Sequence, residues 1–294
     1  MSPRARPALL LTALTVLTVL TALTGLTGCA GTAAPADPAT TAPGGSEGGG
    51  PVDVHRGPGG WWRPEPGTAW QWQLSGELDL TVDVPVYDVD HEVPQEVVDR
   101  LHADGRRVVC YLSAGTVEDY RDDADRFPDE VVGRPLADWP DERWLDVRRL
   151  DVLAPILLDR LDACRRKGFD AVEPDNVDAW ANDSGFDLTA ADQLRFNRWL
   201  AAAAHERGMG VALKNDLGQV RDLVGDFDFA VNESCARYDE CELLQPFVDA
   251  GKAVLHVEYD LGPAEFCAVA HRPGFSSMLK DGDLTAYRHV CEHG

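Results

Sequence analysis

From Trp61 onward the chain alternates short β-rich runs with helical stretches, and this alternation restricts the fold more than any other feature. Eight runs read as strands: "AWQWQL" from Ala69, "TVDVPVYD" from Thr81, "RRVVCYLS" from Arg106, "FDAVEPDN" from Phe169, "GVALKN" from Gly210, "FDFAVNE" from Phe227, "AVLHVEY" from Ala253 and "GFSSMLK" from Gly274. Helical patterns lie near residues 95–103, 152–167, 190–207, 217–224, 240–250 and 264–270. "TAAD" from Thr189 has the form of a capping box. Gly105, Gly168, Gly208 and Gly251 stand between a helix and the next strand, where a left-handed C-cap requires glycine. Strands alternating with helices build a parallel sheet. Eight of them in roughly the 250 residues such a fold takes give α/β class and a (β/α)8 TIM barrel. A doubly wound open sheet is the alternative, but no GxGxxG opens a nucleotide site.

In such a barrel the active site lies where the strands end. Here the runs pass from apolar residues into polar ones in the same direction, ending in Tyr87-Asp88, Tyr111, Glu173-Pro174-Asp175-Asn176, Lys214-Asn215, Asn232-Glu233, Glu258-Tyr259 and Lys280. Charges placed only for solubility would fall at both ends of the strands. Several carboxylates in one cleft raise one another's pKa, whereas a lysine lowers that of its neighbour. That separates an acid from a base, the requirement of glycoside hydrolysis. Aromatic and amide side chains on the same rim suit a sugar. A Ca or Mg ion on the carboxylates is a further option, but no metal or cofactor is assigned. There is no GxSxG and no comparable Ser–His–Asp pattern. His256, inside the seventh strand, reads as a core histidine.

Arg4 and Arg6, an apolar run from Ala8, and "LTGC" ending at Cys29 make an export signal. It resembles the bacterial lipoprotein box, in which the cysteine after the cut is acylated. An ordinary signal peptide is the other reading. The division expected is residues 1–28 signal, 29–60 tether and 61–294 catalytic barrel, with the product exported and held at the cell membrane by lipid on Cys29 alone. Of the 31 residues 30–60, 24 are Gly, Ala, Pro, Ser or Thr. Such a segment averages roughly 30 Å end to end as a flexible coil. Six cysteines remain, an even number that fits three disulfides in an exported protein. The pairing expected is Cys110–Cys164, Cys235–Cys241 and Cys267–Cys291, with buried free thiols at Cys110 and Cys164 left open.

The formal net charge is −23. The first 28 residues hold two basic and no acidic residues, so their removal makes it −25. This balance excludes a duplex nucleic-acid binder, which needs clustered Lys and Arg, and favours a cationic partner. Binding to such a partner should weaken as salt rises. A monomer is expected.

"YLSAGTVEDYRDD" at Tyr111, "WLDVR" at Trp144, "GFDAVEPDNVDAW" at Gly168, "ALKND" at Ala212, "FAVNESCARYDEC" at Phe229 and "VLHVEYD" at Val254 resemble glycoside hydrolase family 114, the endo-α-1,4-polygalactosaminidases. The resemblance runs from Trp70 to about Tyr259; residues 262–294 match no quoted motif. It implies a (β/α)8 barrel and cleavage of α-1,4-linked galactosamine polymers, chiefly where the amines are free. It also implies a catalytic pair, the aspartate of "PDN" and the glutamate of "NE", which fall on Asp175 and Glu233. Ser234 stands where the family commonly has Gln after "NE". A retaining mechanism would need the two carboxyls roughly 5–5.5 Å apart. Glu173 shares a strand face with Asp175, and either works with it or replaces it. Asp88, Tyr111, Asn176, Lys214, Asn232, Glu258 and Tyr259 are the expected sugar contacts, with a plain salt bridge the other reading of Lys214. A surface-tethered polysaccharide-binding protein without catalysis, and a hydrolase of another α-linked glycan, are the competing functions.

Overall fold

A computed structural model describes residues 60–291. The leader, Cys29 and nearly all of the proposed tether lie outside the described residues. In chain order the elements are β1 (Trp70–Gln73), β2 (Val86–Asp90), α1 (Gln95–Ala103), β3 (Arg107–Ser113), β4 (Thr116–Glu118), β5 (Val132–Pro135), β6 (Glu142–Leu145), α2 (Leu150–Lys167) and β7 (Ala171–Asp175). They continue with α3 (Ala190–Glu206), β8 (Gly210–Lys214), α4 (Val220–Leu223), β9 (Phe229–Glu233), α5 (Gln245–Asp249), β10 (Val254–Glu258), α6 (Pro263–Ala270) and β11 (Phe275–Leu279).

Eight strands form one parallel sheet in the order β1-β2-β3-β7-β8-β9-β10-β11. It is a nearly closed (β/α)8 barrel, and the eight strands are those the sequence alternation predicts. Between β11 and β1 there is no strand ladder among the described residues. Side chains and the C-terminal segment bridge that seam. The Trp70 indole donates to the Ser276 carbonyl at 2.8 Å, the Leu74 amide donates to the Leu284 carbonyl at 3.0 Å, and the Gln71 amide side chain reaches the Ala286 carbonyl.

Period-two alternation assigns each strand residue to one of two cores. Trp70, Trp72, Val86, Val109, Ala171, Ala212, Phe229, Val231, Leu255, Val257 and Met278 fill the barrel interior. Tyr87, Val89, Val108, Cys110, Leu112, Val172, Val211, Ala230 and Val254 point outward beneath the helices. Burial on both faces is why the strands read as continuous apolar runs. Gly168 ends α2 in the left-handed conformation, at φ 84°. Thr189 and Asp192 form the expected reciprocal cap on α3, each side chain accepting from the other's backbone amide.

Three details differ from the sequence reading. The predicted helices near 217–224 and 240–250 are each a 3-10 turn leading into a short helix, α4 and α5. The connection between β3 and α2 carries a separate antiparallel sheet, β4-β6-β5, which went unread because its strands are three or four residues long and include Gly and Pro. The strand starts were also read as freer of charge than they are, since Asp170 and Asp228 stand immediately before β7 and β9.

The disulfides are Cys110–Cys164, Cys235–Cys241 and Cys267–Cys291, with Cα atoms 6.1, 4.8 and 5.5 Å apart. This is the pairing expected from the sequence. The first ties β3 to α2, and the last ties α6 to the segment that bridges the barrel seam.

Candidate active site

At the mouth of the barrel a cavity of about 790 Å³ opens over the ends of the parallel strands. Asp175 and Glu233 are the last residues of β7 and β9, Lys214 is the last of β8 between them, and all three line the cavity. Their parity is that of Ala171, Ala212 and Phe229, so each points inward. The chain then turns sharply. Asn176, Asn215, Asp216 and Ser234, the residues next after these strands, have φ of 60°, 48°, 44° and 61°. Left-handed backbone at non-glycine residues is costly and tends to gather at functional sites. Gly115 allows the β3 loop to approach, because a Cβ there would lie 1.7 Å from the Asn176 carbonyl oxygen.

Lys214 organises the cluster. Its Nζ lies 2.9 Å from Asp175 Oδ1, 3.2 Å from Glu233 Oε2 and 3.3 Å from Glu173 Oε1. The Trp72 ring lies beneath it, with Nζ 4.9 Å from the centroid. Burial opposes the charge, but Asp175, Glu233 and Glu173 override it and hold the lysine pKa well above its ordinary value. Lys214 is therefore a fixed ammonium shared among carboxylates rather than a free arm for a sugar.

Each mouth carboxylate also has donors of its own. Asp175 accepts from the Tyr111 hydroxyl at 2.9 Å and from the Asn176 amide at 2.7 Å. Glu233 accepts from the Tyr259 hydroxyl and, at 3.1 Å, from the Asn215 side-chain amide. Burial first, and then the carboxylate each one serves, push both tyrosines up, so they stay protonated donors.

Asp175, Glu233, Lys214, Tyr111 and Asn176 are thus brought together at the cavity, and Tyr259 joins them through its bond to Glu233 without lining it; four further sequence candidates are not among the lining residues. Asp88 and Glu173 point inward but sit one layer down, with no exposed surface. Asn232 and Glu258 are buried on the outward face, one residue out of phase with Glu233 and Tyr259. Asn232 donates to Asn215 Oδ1 at 3.2 Å, and that same oxygen accepts from the Glu233 amide at 2.9 Å. Glu258 accepts from the Ala236 amide at 2.7 Å and pairs with His256 at 2.8 Å. Both are supports for neighbouring loops. Asn176 is a support as well as a wall, since its side-chain amide donates to Ser113, Thr116 and Glu142. Lys280 is buried, donates to the Thr285 carbonyl at 2.7 Å, and is lowered by burial to about 8.

Sequence reasoning missed part of the wall. Glu142 and Trp144 come from β6, and Trp139, 52% exposed, from the turn before it. Asp178 comes from the loop after β7. Burial, reinforced by Asp175, raises Glu142 to about 7 and Asp178 to about 6. The motifs around Trp144 and after Asp175 were the available signal for these residues.

A parallel eight-stranded barrel with two inward carboxylates over one lysine, opening on a polar and aromatic cavity, has the form of a (β/α)8 glycoside hydrolase. The profile of glycoside hydrolase family GH114 matches residues 53–294, and the chain belongs to that family. The match includes the C-terminal stretch in which no motif was read. Among solved structures, Ega3 of Aspergillus fumigatus in complex with galactosamine is 38% identical, with a TM-score of 0.75 over 78% of this chain and 97% of that one. The glycoside hydrolase domain of PelA from Pseudomonas aeruginosa shares the fold at 16% identity, with a TM-score of 0.63 over 75% of this chain and 97% of that one. Comparison with curated protein sequences gave no match. Among the described residues no helix is long and apolar enough to cross a membrane.

Proposed function

We propose that the enzyme cleaves α-1,4-linked galactosamine polymers whose amines are free, with Asp175 as nucleophile and Glu233 as general acid and base. The observation that carries this is the single lysine between the two carboxylates, in a chain 38% identical to a protein solved with galactosamine. Because Lys214 Nζ lies 2.9 Å from one carboxylate oxygen and 3.2 Å from the other, those oxygens are separated by no more than the two distances end to end. That supports the close spacing of a retaining enzyme, roughly 5–5.5 Å, over the roughly 6.5–9.5 Å that leaves room for an inverting water.

Asp175 attacks the anomeric carbon while the Glu233 carboxyl gives its proton to the departing glycosidic oxygen, leaving a glycosyl ester on Asp175. Glu233, now a carboxylate, takes a proton from water. The water oxygen attacks the same carbon and returns the Asp175 carboxylate. Tyr111 and Asn176 hold Asp175 in line, and Tyr259 and Asn215 do the same for Glu233. An amino sugar entering this mouth brings an ammonium to a cluster in which carboxylates outnumber the one lysine.

The domain acts as a monomer on an exported protein, anchored through lipid on Cys29 and held off the membrane by residues 29–60. Replacing Cys29 with Ala should release the protein into the medium. The substrate is tested with partly deacetylated α-1,4-galactosaminogalactan and mass analysis of the products. Oligomers with free-amine units at the new ends are expected. No product above that of Asp175→Asn would overturn the reading, and faster cleavage of a neutral α-galactan would move it to another substrate.

A further inference from the structure

Beneath the mouth lies a pair of carboxyl groups that the reaction above does not use. Asp88 on β2 and Glu173 on β7 both point into the barrel, and neither has any exposed surface. The two side chains are electrostatically coupled, and all four of their carboxyl oxygens are buried without a hydrogen-bond partner. As two carboxylates they would be four buried acceptors to which no backbone amide, hydroxyl or side-chain amide donates, with the Lys214 ammonium near Glu173 Oε1 alone. Native structures rarely leave one buried polar atom unsatisfied, let alone four in contact. One proton held between the two groups turns that contact into a hydrogen bond.

The charged surroundings are few. Lys214 on β8 is the cation, 3.3 Å from Glu173 Oε1, and the Asp175 charge on β7 bears on both carboxyls. Tyr259 feels the Glu173 charge but gives its proton to Glu233. Tyr111 on β3 is committed to Asp175, and Trp72 on β1 offers only its ring face to Lys214. Burial raises Asp88 to about 7 and Glu173 well above the carboxylate range.

We propose that Asp88 and Glu173 share one proton and act together as a single negative charge beneath Lys214, positioning residues that set how much of the lysine's charge reaches Asp175 and Glu233. Lys214 has three hydrogens and three carboxylate neighbours. If the pair were neutral, the ammonium would be shared by the two mouth carboxylates alone and would hold both more firmly ionised. With the pair at one charge, part of the ammonium is drawn downward, and Glu233 can keep the proton that its role requires. This rests on the assignment of Asp175 and Glu233 as the working groups.

The two members should respond differently when replaced. In Asp88→Asn the new amide donates to Glu173, which ionises against Lys214, so the charge beneath the lysine is kept. In Glu173→Gln the remaining carboxyl, Asp88, is fully buried and has no ammonium at ion-pair distance as Glu173 has, so it takes up a proton despite the amide beside it and the charge is lost. The test has two arms. The first is the pH dependence of kcat/KM on a deacetylated galactosamine oligomer. Asp88→Asn should leave the pH limbs unmoved, whereas Glu173→Gln should shift both limbs down by about one pH unit. The second is variant-minus-wild-type infrared spectroscopy at neutral pH, which needs no substrate. The band of a protonated carboxyl should disappear in Asp88→Asn and persist in Glu173→Gln. Equal shifts of the pH limbs in the two variants, no shift in either, or a protonated-carboxyl band unchanged in Asp88→Asn would overturn the proposal. If wild type fails to cleave the oligomer, the substrate reading fails and the infrared arm still decides the shared proton. If Glu173→Gln does not fold, Asp88→Asn alone decides it through the infrared band.

Discussion

Strands β7 and β9 each have a carboxylate at both ends, and the two ends of the same strands are provided for in opposite ways. At the entry, Asp170 accepts from the Val108 amide at 2.9 Å, from Arg107 at 2.7 Å and from His102 at 3.0 Å. Asp228 accepts from the Val211 amide at 3.0 Å, from the Trp61 indole at 2.9 Å and from His205 at 2.8 Å. Each entry carboxylate takes a bond from the backbone of the adjoining strand, so it fixes strand position. At the exit, Asp175 and Glu233 share one lysine, take most of their remaining bonds from side chains of separate strands and loops, and face the cavity. Residue type is the same at both ends. What distinguishes the two ends is that the exit carboxylates share one cation and face the cavity at the barrel mouth.

The sharpest way to break this comparison is at the exit. Glu233→Gln keeps the shape and removes the proton donor, so kcat should fall by on the order of 10³-fold or more while Tm stays within a few degrees of wild type. Loss of stability with retained turnover would assign Glu233 to the other class. At the entry the expectation reverses. Asp228→Ala leaves Trp61, His205 and the Val211 amide without their acceptor and should cost about 2–4 kcal/mol in urea unfolding, with specific activity of the folded fraction near wild type. Tyr259→Phe deletes one donor to Glu233 and should lower kcat/KM by about tenfold, the size of one buried hydrogen bond to a charged group. A variant indistinguishable from wild type would mean that Tyr259 only fills space.

The smallest effect concerns stability against pH. Burial raises Asp88 and Glu142 to about 7 and Asp216 to about 8, above their unfolded values. The folded state therefore holds more protons than the unfolded one near neutrality, and stability declines as pH rises through these values. His91, lowered to about 4 by burial, opposes this only below its unfolded pKa of roughly 6.5. Between pH 6.5 and 8 Tm should fall by a few degrees. A rising Tm over that window would show that the buried acids are better paired than their donor sets indicate.

The barrel was legible because a β-rich run followed by a helical run repeats eight times, and both covered faces of a parallel strand must be apolar. Two strand-end motifs also pointed to Asp175 and Glu233, which the structure brings together on Lys214. Glu258 and Asn232 were misplaced although the signal was present: strand parity sets them outward, beside residues whose side chains do reach the mouth. Asp88 had the right parity but the wrong depth, and depth depends on how far each strand is displaced relative to its neighbours, which local pattern does not carry. Glu142 was hidden for a different reason. It reaches the cavity only because three very short strands fold into a second sheet, an arrangement set by distant pairings such as Thr116 opposite Trp144. The role of Lys214 needed three distances at once, which no motif contains.

The central claim is that chemistry resides at the exit of β7 and β9 and not at their entry. It is tested most directly by measuring oligomer release from deacetylated α-1,4-galactosamine polymer by wild type, Asp175→Asn and Asp228→Asn in one assay, with Tm recorded for each. The account predicts that Asp175→Asn is folded and inactive, and that Asp228→Asn is less stable but turns over like wild type. Wild-type turnover by Asp175→Asn, or an inactive Asp228→Asn at unchanged Tm, would contradict it.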